Sequence, residues 1–106
     1  GVTLPANCDQ GSHVYWVYGI LVDHGIERKS VMASLQGAGV GTRTFFCPMN
    51  LQPCLGEIPE CRSVACPVAE DLWERGFYLP SGPNVTERQI EEIAALLGKA
   101  VQGAGV

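Results

Sequence analysis

The segment His13–Val22, HVYWVYGILV, carries an apolar or aromatic side chain at nearly every position. Extended backbone sends successive side chains to opposite sides, so both faces of such a strand need cover. Its Val, Tyr, Trp and Ile also favour strand over helix. The segment therefore predicts an interior strand in a layered domain. Asp23-His24-Gly25 supplies the turn that ends it.

The remaining chain supplies the layers. Glu27–Gly37 reads as a helix with Val31, Met32 and Leu35 on one stripe, stopped by Gly37 or Gly39. Val40–Thr44 reads as a short strand. Cys47–Arg62 holds Pro48, Pro53 and Pro59 and reads as a meandering loop. A second helix spans Val64–Arg75, with Pro67 in its first turn, Val68, Ala69, Leu72 and Trp73 facing inward, and Gly76 as its stop. Phe77–Leu79 is a brief strand and Ser81-Gly82-Pro83-Asn84 a turn. Thr86 then caps a third helix, with Gln89 placed for a capping box and Ile90, Ile93, Ala94, Leu97 and Val101 as its inner stripe.

This order predicts an α+β sandwich in one domain, residues 1–106, with an ordered core of about 12–101 and a frayed tail at Gly103–Val106. The first strand and the Pro-rich loop carry more aromatic surface than so small a sheet can bury. That excess implies a further surface, on another domain or another chain, that covers it.

Charge and cysteine content exclude several classes. The net charge is −4, and Arg28, Lys29, Arg43, Arg62, Arg75, Arg88 and Lys99 are scattered, which argues against nucleic acid as a partner. Gly19 and Asp23 interrupt the longest apolar run, so no membrane span is expected. The opening GVTLPANCDQG has neither the basic nor the apolar part of a signal peptide. Five cysteines, Cys8, Cys47, Cys54, Cys61 and Cys66, make an odd set without C-x-x-C spacing, which suits a reducing, cytoplasmic setting. The even spacing of Cys47, Cys54 and Cys61 admits a metal reading, but half-buried free thiols fit better than zinc.

Chemistry centres on Gly39–Pro53, GVGTRTFFCPMNLQP, where Arg43 stands among Phe45, Phe46, Met49 and Leu51. A guanidinium requires an anionic or carbonyl partner when water is removed. Two readings stand: Arg43 pairs with one of the chain's own acids, or it reads an anionic ligand. On residues alone the internal pair is the safer. No G-x-S-x-G elbow, P-loop or dinucleotide fingerprint occurs. Glu70-Asp71 and Glu91-Glu92 fall on solvated helix faces, and His13 and His24 have no catalytic partner in sequence. No catalytic constellation is complete.

Three segments in order resemble one family. HVYWVYGILV, GVGTRTFFCPMNLQPC and PVAEDLWERGFYLPSGPNVTERQIEEI are similar to the C-terminal part of the DegT/DnrJ/EryC1/StrS aminotransferases. These are pyridoxal-phosphate enzymes that aminate keto groups of nucleotide-linked sugars. The resemblance runs from about His13 to Leu97, and T-R-x-F-F-x-P-M together with E-R-G-x-x-L-P-S-G-P-N-x-T carries it. It implies the small domain of a fold-type-I aminotransferase, a mostly antiparallel sheet with about three helices packed on it. It also implies that the Schiff-base lysine and the other cofactor contacts belong to a large domain to which nothing here corresponds, so no catalytic residue is expected in this chain.

The resemblance implies a substrate-binding and closing role for a nucleotide sugar. Arg43 would take an anionic group, Tyr15, Trp16 and Tyr18 would approach from the first strand, and Phe45, Phe46 and Asn50 would line the loop. Asn50 and Trp16 stand where relatives often carry His. Pyridoxal phosphate is the cofactor of the full-length family, not of this segment alone. Three readings remain open: a truncated piece of such an enzyme, a free-standing non-catalytic binding module, or a complementing subunit for a separate large-domain chain. The aromatic excess also predicts self-association into a homo-oligomer where the large domain is missing.

Overall fold

A computed structural model describes residues 1–61 and 64–105. Its elements in chain order are β1 (Val2–Thr3), β2 (Tyr18–Val22), α1 (Arg28–Gly37), β3 (Arg43–Thr44), α2 (Pro67–Arg75), β4 (Gly76–Leu79) and α3 (Glu87–Ala104). The four strands form one antiparallel sheet in the order β1-β2-β4-β3, and β2 lies inside it as its apolar sequence requires. With three helices the architecture is α+β.

Register divides the sheet into two faces. Ile20 pairs with Phe77, so these and Val22 point the same way. They form the core with Val31 and Leu35 of α1, Val40, and Leu97 and Ala100 of α3. Gly19 pairs with Tyr78, and Tyr78 with Arg43, which sets those three positions on the opposite face. There the Phe45 ring lies over the sheet: a methyl on Gly19 would approach its Cζ to 2.9 Å, and one on Gly76 would strike the same ring. The two glycines make the space that Phe45 fills.

Local signals set the helix ends. Val40 N–H donates to Leu35 O at 2.9 Å while Gly39 takes a left-handed φ of 82°, which closes α1 and tucks Val40 into the core. Thr86 Oγ1 accepts from Gln89 N–H, and Gln89 Oε1 accepts from Thr86 N–H at 2.9 Å, the reciprocal box that starts α3. Pro67 opens α2, and Glu70 Oε1 accepts from Cys66 N–H at 3.0 Å.

Several expectations require correction. The strand expected over His13–Val22 is regular only from Tyr18, because Tyr15 has φ 46° and breaks the extended path. Val40–Thr44 narrows to Arg43–Thr44, since Val40 is used by the α1 terminus. Val2–Thr3, outside the expected core of 12–101, pair with Leu21 and Val22, and α3 continues through Ala104 where fraying was expected. The α3 stripe is rotated toward Ile93, Leu96, Leu97, Ala100 and Val101, leaving Ile90 and Ala94 exposed. On α2, Val68 and Leu72 lie exposed, Trp73 is half-buried and no residue is fully buried, so its apolar face is only partly covered among the described residues. The Cys47–Arg62 loop contains a 3-10 turn at Met49–Leu51; Arg62, Ser63 and Val106 lie outside the described residues.

Candidate functional site

Arg43 sits on edge strand β3, level with Tyr78 of β4. An open cleft of about 550 Å³ runs past it, lined also by Trp16, Thr42, Tyr78, Pro80 and Ser81. The side chain is exposed, and among the described residues its guanidinium has neither an ion pair nor a hydrogen bond. The internal acid partner that residue reasoning favoured is not there. A free guanidinium beside a tyrosine ring and an indole can take a carboxylate or phosphate in bidentate fashion and a flat ring by stacking.

The remaining expected site residues divide by face. Trp16 joins Arg43 in the cleft and is 78% exposed. Phe45 stacks on Tyr78 at 4.8 Å and 27° and is half-buried against the two glycines, so it builds the floor of that face. Phe46 is tilted against Tyr78 at 6.3 Å and lies 72% exposed. Tyr18 is on the other face, beside an apolar groove formed with Leu4, Leu79 and α3. Tyr15 stacks between His13, at 4.2 Å, and Tyr18, at 5.5 Å.

Asn50 is placed away from Arg43. Its Nδ2 donates to Val64 O at 3.1 Å and to Glu70 Oε1 at 2.6 Å, tying the Pro-rich loop to the first turn of α2. The Cys66 N–H, then the Asn50 amide, holds the Glu70 carboxyl below its usual range. Its geometry is that of a loop clasp.

Residue reasoning missed Tyr78, Pro80 and Ser81 as cleft residues and read Ser81 only as part of a turn. It also missed what seats α2. Arg75 grips Asp71 through two hydrogen bonds of 2.9 and 2.6 Å and donates to Val22 O at 2.8 Å. Arg28 Nη1 donates to Trp73 O and to Gly76 O, so a cation sits at the C-terminal carbonyls of α2. Asp71 and Arg75 are an i,i+4 pair on one helix, but the backbone carbonyls that Arg28 and Arg75 reach lie 45 or more residues away, and no local pattern announces them.

The donor set does not fit pyridoxal phosphate. An imine needs an amine, and Lys29 and Lys99, the lysines of this chain, are exposed on α1 and α3 and do not line the cleft. Cys47, Cys61 and Cys66 are half-buried and Cys8 and Cys54 exposed. No group of three or more metal-binding side chains comes together among the described residues. Nor is any described helix long and apolar enough to cross a membrane.

Comparison with known proteins matches the sequence and the fold. The chain is 31% identical to GDP-perosamine synthase of Vibrio cholerae over 83 residues, covering 76% of this chain and 22% of that protein. It is 28% identical to GDP-perosamine synthase of Caulobacter vibrioides over 102 residues, covering 94% and 27%. Among solved structures, a DegT/DnrJ/EryC1/StrS aminotransferase from Brucella abortus superimposes with a TM-score of 0.77 at 21% identity, covering 94% of this chain and 26% of that one. The PseC aminotransferase of Helicobacter pylori, involved in the biosynthesis of pseudoaminic acid, gives 0.75 at 19%, covering 82% and 24%. The chain thus spans about a quarter of the length of the relatives it matches. Residues 1–98 match the profile of the DegT/DnrJ/EryC1/StrS aminotransferase family, and the chain belongs to that family.

Proposed function

We propose that these 106 residues act as the small domain of an aminotransferase for nucleotide-linked keto sugars, binding and enclosing the substrate while the transfer is carried out elsewhere. The carrying observation is the unpaired Arg43 guanidinium in a cleft with Trp16 and Tyr78. Left in water it costs little; over a diphosphate or carboxylate it supplies a charged fork, and the rings exclude water around it. The named activity of the perosamine synthases supports a nucleotide-linked sugar as the ligand class.

Phe46 extends the aromatic rim, and Phe45 keeps the sheet beneath it rigid. Asn50 serves the same site indirectly by fixing the loop that follows Phe46. Tyr15 and Tyr18 form the inner buttress of the segment that carries Trp16 into β2. In the family pyridoxal phosphate supplies the electron sink for amino transfer; here its lysine belongs to a partner domain, and the exposed apolar surface is covered by that domain or, without it, by further copies of this chain. Such work is done in the cytoplasm, where nucleotide sugars and reduced thiols coexist.

Titration of the chain with a GDP-linked sugar, followed through the Arg43 Nε–H and Trp16 indole resonances, tests the reading. Saturable shifts with a Kd of about 1 mM are expected for half a pocket, and Arg43→Ala should abolish them. Absence of any shift at Arg43 overturns it.

A further inference from the structure

Tyr15 is the only non-glycine residue with a positive φ among those described, and nothing in its type favours that state. It is held from several directions. Its N–H donates to His13 Nδ1 at 2.9 Å, its carbonyl accepts from Ser81 Oγ at 2.9 Å, and its ring lies between those of His13 and Tyr18. Ser81 is 66 residues away, on the turn between β4 and α3, so this bond joins two separate segments at the lip of the Arg43 cleft.

The conformation has a geometric consequence. In an unbroken strand, residues two apart share a face, so Trp16 would share the side of Tyr18 and Tyr15 would take the other. The reverse occurs: Tyr15 stacks on Tyr18, and Trp16 lines the cleft with Arg43 and Tyr78. The left-handed residue exchanges the two aromatic side chains between the faces of the sheet.

We propose that Ser81 and Tyr15 are positioning residues that turn the Trp16 indole into the Arg43 cleft and so make the cleft selective for ligands carrying a flat ring beside their anionic group. The selectivity rests on reading the cleft as a ligand site; the positioning does not. Ser81 Oγ fixes the Tyr15 carbonyl, the carbonyl fixes the next peptide plane, and that plane aims Trp16. A nucleoside diphosphate would meet both Arg43 and the indole, whereas pyrophosphate would meet Arg43 alone.

The test uses the full chain and its Ser81→Ala and Ser81→Thr variants. Two tryptophans are present, and Trp73 on α2 serves as the internal reference for intact folding. The Trp16 indole should show nuclear Overhauser contacts to residues lining the Arg43 cleft that Ser81→Ala loses and Ser81→Thr restores, with Trp73 unmoved. Ser81→Ala should weaken guanosine diphosphate binding about five- to tenfold more than it weakens pyrophosphate binding, because the stacking contact is lost for the nucleotide alone. An unaltered Trp16 contact in Ser81→Ala overturns the positioning, and equal losses for both ligands overturn the selectivity. A lost contact in Ser81→Ala, with neither ligand bound by the native chain, upholds the positioning and rejects the ligand reading of Arg43.

Discussion

At the scale of single residues, Gly19 has no room for a side chain. Its missing side chain is the space that holds Phe45, 2.9 Å from where a methyl would stand. Gly19→Ala should cost about 1–3 kcal/mol through overpacking and tilt Phe45 off Tyr78. Denaturant unfolding and near-UV dichroism check both effects. Asp71 gives a second prediction. The Arg75 side chain holds its carboxyl below the ordinary range, with desolvation opposing and His24 assisting at 3.9 Å. The folded-state value is depressed, so the stabilisation is fully present above the unfolded value of about 4 and is lost as pH falls through the folded one. Acid unfolding should therefore steepen below about pH 4, and Asp71→Asn should flatten that limb. Such residue detail was only partly legible. Arg43 and Trp16 stood out as a cation and an indole in apolar runs. The reach of Arg28 and of Arg75 across the fold did not, because the carbonyls they take are supplied by distant segments.

At the scale of elements, the helices were readable because their signals are local. The Thr86–Gln89 box lies within four residues, and the Gly39 stop of α1 is a single-residue feature; α2 begins at Pro67, three residues after the Val64 expected. Thr86→Ala should remove about 1 kcal/mol, lowering Tm by roughly 4–8 °C, and Thr86→Ser should largely restore it; thermal melts read both. The strands were less readable. Two-residue β1 has no pattern to detect and exists because β2 offers it an edge. The false length given to β2 came from apolar content without backbone information: Val14, Tyr15 and Trp16 are as apolar as a strand, yet Tyr15 departs from it. The α3 stripe was misjudged by a fraction of a turn because Ile90 faces the groove beside Leu4 and Tyr18 instead of the core.

At the scale of the whole molecule, the dimensions say that this chain does not close on itself. Its radius of gyration is 15.9 Å, against about 13 Å for a self-contained domain of this length. Its accessible surface is 7668 Å², against about 5,700 Å² for a compact monomer of its mass. Val14, Trp16, Phe46, Met49 and Val68 are each at least 70% exposed and contribute to the excess. A standard protein interface takes about 800 Å² from each partner, less than half of the roughly 1,900 Å² in excess here. One standard interface with a second copy therefore covers less than half of that excess, and association is expected to continue past the dimer. Sedimentation equilibrium should show an average mass that rises with concentration without a plateau at two copies. Replacing Phe46 and Met49 together by Ser should lower that mass without shifting the thermal midpoint by more than about 2 °C, since both side chains are already in water. A monomeric boundary for the native chain at millimolar concentration would show instead that the surface tolerates water, and the case for a covering domain or copy would fall with it.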